Sequence, residues 1–221
     1  MYPIILTCGT PHSYTSMTSK FLQDNGGYCD DNWDNPKFHL PYSRFESKEI
    51  QEFVYARKNF KKHDLTEFFK GLPTDKIVTI KAPLLINFVN ELSEFTDREI
   101  KVVFVFRNPQ DIILSSIDKK NKGFIYYFER LAFNYQAMVD CKFPVFPLVA
   151  EKLLLKDEHV AKSLLEYCGL YKGEINFSSI KTKGVKKRNT SFLDFRFSNF
   201  FWKRLARFFM VYEVEDEAKN K

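Results

Sequence analysis

The stretch Tyr2–Leu22, YPIILTCGTPHSYTSMTSKFL, decides the fold. It opens with the apolar run 4–6, continues through a turn rich in hydroxyl side chains, and ends where Met17, Phe21 and Leu22 share one helical face. This order predicts a buried strand, a tight turn and the start of a helix. Such a turn presents free backbone N–H groups at the positive end of the helix dipole. The stretch therefore predicts an anion-binding site.

The turn differs from the phosphate loop of standard nucleoside triphosphatases. That loop has the pattern GxxxxGK[ST], with a lysine that reaches the outer phosphates. Here Tyr14 stands five residues after Gly9, the turn contains no lysine, and no apolar strand ends in Asp. A P-loop nucleotide kinase is therefore a disfavoured interpretation, which magnesium-dependent ATP binding would revive.

Composition places the chain among folded globular proteins. Its 221 residues include 24 Phe and 11 Tyr and fit one domain, predicted over residues 1–212, with a disordered tail at 213–221. The net charge of +6 and the pI of about 9.0 suit an anionic ligand. The chain contains no RNA-binding motif, zinc finger or basic zipper, so a nucleic-acid partner is not expected.

Cysteine usage and hydropathy indicate a cytoplasmic protein. The four cysteines are far apart and form no CxxC pair with zinc spacing, which predicts reduced thiols and no metal site. The chain enters its first strand almost at once, so no signal peptide is expected before it. No apolar run is long enough to span a bilayer.

Apolar patterning beyond the first helix predicts strands that alternate with helices, and hence an α/β fold. The later strands are continuous apolar runs, which are typical of a parallel sheet covered on both faces. The carboxyl ends of such strands share one edge of the sheet, so Gly9, Lys81 and Arg107 should lie at one ligand-binding edge. Predicted strands are 76–81, 101–106 and 145–149, and predicted helices are 47–62, 64–69, 84–95, 124–139 and 157–168.

Two segments resemble sulfotransferases. Residues 9–16, GTPHSYTS, match six of eight positions in the GxP[RK]SGT[ST] loop that opens these enzymes; His12 replaces a basic residue and Tyr14 replaces a glycine. If that backbone position needs a positive φ, the tyrosine is strained there. Residues 101–115, KVVFVFRNPQDIILS, resemble the segment that grips the 3′-phosphate of PAPS (3′-phosphoadenosine 5′-phosphosulfate).

The side chains of the second segment suggest how it would bind a phosphate. Arg107 leaves the strand end with a fork that can bind phosphate through two hydrogen bonds. Ser115 would meet the same phosphate, and Asp111 would stabilise the helix start. The alternative interpretation is a structural Arg–Asp pair at a strand-to-helix corner.

Two shorter segments extend the resemblance. Residues 77–83 resemble the family's strand ending in KxP, and residues 145–153 resemble its strand ending in YED, with Ala150 and Lys152 as departures. The chain is similar over residues 3–171 to the sulfotransferase superfamily, closest to its compact prokaryotic or viral type. The resemblance implies a P-loop-like sulfotransferase fold, with a parallel β-sheet flanked by helices.

The resemblance also implies an activity: transfer of a sulfuryl group from PAPS to an acceptor hydroxyl of a carbohydrate or small metabolite, by metal-independent in-line displacement that releases PAP (3′,5′-ADP). The alternative is a non-catalytic PAP- or nucleotide-binding protein of the same fold. The implied catalytic residues are His12, Lys81 and Glu46, with Asp30, Asp31 and His39 as rivals to Glu46. The implied PAPS-binding residues are Gly9, Thr10, Pro11, His12, Ser13, Tyr14, Thr15, Ser16, Arg107, Ser115, Lys183 and Gly184.

Overall fold

The computed structural model of the protein describes residues 1–29, 47–57, 60–109, 111–112 and 124–180. The predicted end of the domain at residue 212 lies outside these residues. The elements are β1 Ile4–Gly9, α1 Thr15–Asp24, α2 Lys48–Tyr55, α3 Lys62–Gly71, β2 Val78–Lys81, a 3-10 helix Pro83–Glu94, β3 Ile100–Phe106, α4 Phe124–Val139, β4 Val145–Val149, α5 Ala150–Leu154 and α6 Glu158–Cys168.

The four strands form one parallel sheet in the order β2-β1-β3-β4. The predicted α/β fold with a parallel sheet is therefore confirmed. In the register of the sheet, Thr7 lies level with Lys81, and Gly9 lies level with Val105. The chain first moves from β1 to β2 on one side and then returns to β3 on the other side of β1. The strand order thus reverses between β1 and β3, where the loops that follow these two strands diverge.

Helices cover both faces of the sheet. On one face, α1 and α6 pack against the sheet in a buried apolar cluster that includes Ile5, Phe21, Val103 and Leu164. On the other face, the 3-10 helix packs against β1, and Tyr135 of α4 lies against the ring of Phe104 at 5.9 Å between centroids. All six residues of β1 are buried, as the continuous apolar strand predicts for the centre of a covered sheet.

The segment after β2 is a 3-10 helix, whereas the apolar spacing predicts an α-helix. A 3-10 helix has three residues per turn, so residues three apart lie in one row. The row of Pro83, Ile86, Val89 and Leu92 is buried. Phe88, predicted to face inward, lies off this row and is only partly buried.

The predicted helix over residues 47–62 is shorter in the structure. Helix α2 ends at Tyr55, and α3 begins at Lys62. The ring of Phe60, which lies between the two helices in sequence, is 5.0 Å from the ring of Phe53 and 6.0 Å from that of Phe95. In a continuous helix, residues seven apart are separated by about 10 Å along the axis. The shorter helix is therefore compatible with an aromatic cluster that the longer helix would not form.

The four cysteines, Cys8, Cys29, Cys141 and Cys168, form no disulfide and are reduced, as predicted. Burial raises the pKa of the Cys168 thiol to about 12, so this group is a neutral part of the core. Among the helices of the described ranges, none combines the length and the apolarity that a membrane span requires.

Candidate functional site

The turn between β1 and α1 is compact and strained. The Ser13 backbone N–H donates to the Thr10 carbonyl at 3.0 Å. His12 and Tyr14 have φ angles of 72° and 67°, in the left-handed region that non-glycine residues rarely adopt. Each such residue costs about 1–2 kcal/mol. Strained backbone of this kind is concentrated at functional sites, which makes the turn the first candidate for one.

Gly9 fits its position because it has no side chain. Its φ angle is 154°, and a Cβ added to it would lie 2.7 Å from both the Ser13 hydroxyl oxygen and the Val105 carbonyl oxygen. The close packing of β1, β3 and the turn at this point therefore requires glycine.

The first turn of α1 is suited to an anion. Tyr14, at the N-cap, makes no side-chain capping bond, and the first turn contains no acidic residue. The first amides of a helix have no intrahelical partner. The Ser13 hydroxyl is fully buried and has no hydrogen-bond partner among the described residues. These donors and the helix dipole favour negative charge at the same point.

Arg107 joins the second motif to the turn. Its Nη1 donates to the His12 carbonyl at 2.8 Å, across 95 residues of sequence. Its guanidinium carbon lies 4.5 Å from the centroid of the Tyr14 ring. Its buried Nε–H has no acceptor among the described residues. The structure thus brings together the turn and the arginine that the sequence predicts at one edge of the sheet.

The structure also addresses the interpretation of Arg107 as a purely structural partner of Asp111. The closest approach is 3.8 Å, from Nη2 to Oδ2, and the Asp111 side chain is 44% exposed. That distance is too long for a hydrogen bond, and an ion pair with an exposed carboxylate contributes little. The firmer contact of Arg107 is with the turn.

Glu151 fixes the corner at which Arg107 leaves β3. One of its carboxylate oxygens accepts the Asn108 backbone N–H at 3.0 Å. Glu151 belongs to the first turn of α5, so this bond ties the β3 corner to the neighbouring strand-to-helix connection. The sequence resemblance marks Glu151 but assigns it no role, because its partner is a backbone amide that no motif reveals.

Lys81 ends β2 and is only 2% exposed. The register places it beside Thr7, two residues before Gly9, and the Ala82 N–H donates to the Thr7 carbonyl at 3.2 Å. Lys81 therefore lies at the predicted edge of the sheet, on the side of β1 opposite to Arg107.

Two asparagines that contact the turn directly or through each other were not predicted from the sequence: Asn134, which is buried, and Asn87, which is partly buried. The Asn134 Nδ2 lies 3.5 Å from the Thr10 hydroxyl oxygen, and the Asn87 Nδ2 donates to the Asn134 Oδ1 at 2.9 Å. Asn134 is 1% exposed. This chain of contacts links the turn to α4 and to the 3-10 helix. The only sequence signal was a lone asparagine on the buried face of an aromatic helix.

Several predicted site residues lie outside the described residues. They are Glu46 with its rivals Asp30, Asp31 and His39, Ser115, and Lys183 with Gly184. Within the described ranges, no group of three or more His, Cys, Asp or Glu side chains has the arrangement that a metal ion requires.

Comparison with solved structures identifies the architecture. The sulfotransferase domain of the olefin synthase from Synechococcus PCC 7002 superposes with a TM-score of 0.53 and 11% identity, over 83% of this chain and 80% of that chain. A sulfotransferase from Alicyclobacillus acidocaldarius gives a TM-score of 0.50 and 13% identity, over 80% and 85%. The chain has the sulfotransferase fold. No family model matches the sequence, and no curated protein matches it.

In this fold, the carboxyl ends of β1 and β3 lie side by side at one edge of the sheet. The turn after β1 and the arginine after β3 flank the point where the strand order reverses. Ligands of open parallel sheets bind at such a point. The fold therefore accounts for the meeting of two motifs that are far apart in sequence.

Proposed function

We propose that the chain is a sulfotransferase that moves a sulfuryl group from PAPS to a hydroxyl of a carbohydrate or small metabolite and releases PAP. The observation that carries the proposal is the contact of Arg107 with the His12 carbonyl. It assembles the turn and the arginine into one cationic, donor-rich surface in a chain with the sulfotransferase fold. The resemblance of both segments to PAPS-binding motifs supports the choice of donor.

The residues present fit an anionic donor. The Ser13 hydroxyl and the Arg107 Nε–H are buried without acceptors among the described residues. A buried donor without a partner costs about 1–3 kcal/mol, which an anion would recover. Gly9 leaves room for the backbone of the turn to pack closely. In the proposal, residues 9–16 hold the 5′-phosphosulfate and Arg107 holds the 3′-phosphate, with Ser115, Lys183 and Gly184 as further ligands.

The chemistry required of the protein is mainly positioning and charge stabilisation. Bound PAPS supplies an activated sulfuryl group whose leaving group is a phosphate. His12 and Lys81 are assigned to stabilising negative charge on the leaving oxygen. Lys81 is almost completely buried, and a charge acts more strongly where water is excluded. Glu46 is assigned as the base that takes the acceptor proton, an assignment that rests on the sequence resemblance alone.

Calorimetric titration with 3′,5′-ADP tests the donor site, with ATP plus magnesium as the comparison. We expect micromolar binding of 3′,5′-ADP and none of ATP. Failure to bind 3′,5′-ADP would overturn the proposed donor. Transfer of labelled sulfate from PAPS to a panel of sugars and phenols then tests catalysis. Tight binding without transfer to any acceptor would favour the non-catalytic alternative.

Arg107→Ala is the sharpest single variant for this site. Loss of a charge-assisted contact should weaken 3′,5′-ADP binding by about 2 kcal/mol, or roughly thirtyfold. Arg130→Ala is the matched control, because it removes the same charge from an exposed position on α4. The control should bind as wild type does. Unchanged affinity in a folded Arg107→Ala variant would remove Arg107 from the site.

A further inference from the structure

Tyr14 occupies a backbone conformation that is energetically unfavourable for a residue with a side chain. Its presence there therefore needs an explanation. Its φ angle of 67° is one that glycine adopts freely and tyrosine does not. The sulfotransferase loop that the turn resembles carries a glycine there. The ring of Tyr14 packs at the edge of the apolar cluster under α1 and, on its other side, faces the Arg107 guanidinium at 4.5 Å.

Among the described residues, the guanidinium of Arg107 makes its closest contacts with the turn. The His12 carbonyl accepts from Nη1 at 2.8 Å, and the Tyr14 ring covers one face of the group. The Asp111 carboxylate lies 3.8 Å from Nη2, beyond hydrogen-bond distance. The Nε–H is buried and unpaired among the described residues, so it is available to an incoming acceptor.

An arginine that is already held in one orientation loses less conformational freedom when it binds. An arginine side chain has several rotatable bonds, and their freedom is lost when the group is fixed in a complex. A contact between a cation and an aromatic face favours one arrangement of the cation, more strongly where the pair is desolvated. The Arg107 side chain is only 16% exposed, so its contact with Tyr14 is largely shielded from water.

We propose that Tyr14 is a positioning residue, whose ring holds the Arg107 guanidinium in the orientation that binds a phosphate of the donor. The inference rests on the proposed function and adds to it a role for the side chain that distinguishes this loop from the glycine-containing one. The left-handed backbone at residue 14 is then the cost of placing an aromatic face under Arg107.

Three substitutions of Tyr14 separate the aromatic face from the other properties of the side chain. Tyr14→Phe keeps the ring, and Tyr14→Leu keeps apolar bulk against the core without a ring. Tyr14→Asn removes the ring and suits a left-handed backbone, so it remains useful if the leucine variant does not fold. We expect 3′,5′-ADP affinity within twofold of wild type for Phe, and about fivefold weaker for Leu and Asn.

A matched control exists on α4, where the guanidinium carbon of the exposed Arg130 lies 5.5 Å from the centroid of the Tyr126 ring. Tyr126→Leu should leave the affinity unchanged. A double-mutant cycle gives a readout that a purely structural role would not produce. In an Arg107→Ala background, Tyr14→Leu should cause no further loss of affinity, because the group that the ring positions is gone.

The outcomes distinguish this inference from the proposed function. If wild type binds 3′,5′-ADP and the Leu and Asn variants bind equally well, the positioning role is overturned while the donor site stands. Additive losses in the cycle would also overturn it, since Tyr14 would then act independently of Arg107. If wild type does not bind 3′,5′-ADP, the proposed donor site itself fails.

Discussion

Gly9 marks the place where the turn and the sheet leave no room for a side chain. A methyl group there would lie 2.7 Å from the Val105 carbonyl oxygen, which is backbone and cannot move aside cheaply. We therefore expect Gly9→Ala to lower the free energy of unfolding by about 3 kcal/mol, from overpacking and from the unfavourable φ angle together. Urea denaturation measures this loss.

Gly71→Ala is the control for Gly9→Ala. Gly71 is the last residue of α3, and a Cβ added to it meets no heavy atom within 4 Å. Alanine is the better helix former, so this variant should gain up to about 1 kcal/mol in unfolding free energy. Equal effects of the two substitutions would show that the contacts at Gly9 do not limit stability.

At the scale of residues, the sequence predicts the chemistry of a local segment better than it predicts which distant residues that segment contacts. The turn at 9–16 and the strain expected at Tyr14 follow from neighbouring residues, and the structure places Tyr14 at a positive φ. The contact of Arg107 with the His12 carbonyl spans 95 residues, and that of Asn134 with Thr10 spans 124. Because a backbone carbonyl looks the same in every residue, no motif could have named the first of these partners.

Helix α6 illustrates how an element is defined by its two ends. The Asp157 carboxylate caps its N-terminus by accepting the Val160 N–H at 3.1 Å, and Gly169 ends it with a φ angle of 73°. The bond to the Val160 N–H lowers the pKa of Asp157, with Lys152 contributing further. The folded pKa is therefore below the unfolded value of about 3.9.

The capping carboxylate predicts a specific acid sensitivity. Its contribution to stability is fully present above the unfolded pKa and is lost as the pH falls through the folded pKa. Asn can cap the same helix without titrating. Unfolding free energy measured from about pH 5 to about pH 2 should therefore fall less steeply in Asp157→Asn than in wild type. Asp157→Ser should behave like the asparagine variant, and identical pH profiles for all three would contradict the assignment.

The elements that sequence predicted best are those whose pattern is unambiguous. Helix α4 and strand β4 begin and end at the predicted residues. The 3-10 helix was predicted as an α-helix, because Leu85, Val89 and Leu92 have the spacing of one α-helical face and all three are buried. The 3-10 helix packs against β1, and its Phe88 ring lies 5.9 Å from the Phe53 ring between centroids, contacts with distant residues that no local pattern specifies.

At the scale of the whole sheet, the candidate site and the buried Arg98 lie at opposite ends of the strands. Gly9, Lys81 and Arg107 lie at the carboxyl ends of the strands, and Gly9 and Arg107 flank the point between β1 and β3 where the strand order reverses. Sequence predicted the common edge but not the strand order, because the apolar strands do not differ enough to specify their neighbours. At the amino ends, Arg98 is 8% exposed and connects segments that precede three strands, another arrangement that no local pattern revealed.

Arg98 should therefore control stability without controlling binding. Its guanidinium donates to the Tyr2 carbonyl at 2.8 and 3.1 Å, to the Pro73 carbonyl at 3.0 Å and to the Lys76 carbonyl at 3.2 Å. A lysine cannot supply this planar set of donors, so Arg98→Lys should lower the unfolding free energy by about 3 kcal/mol. Because the candidate site lies at the opposite end of the sheet, the folded variant should bind 3′,5′-ADP as wild type does.

Urea denaturation measures the change in stability of Arg98→Lys, and calorimetry measures its affinity for 3′,5′-ADP. The control is Arg130→Lys, a substitution at an exposed position, which should change the unfolding free energy by no more than about 0.5 kcal/mol. A weakened affinity in folded Arg98→Lys would mean that the two ends of the sheet are coupled.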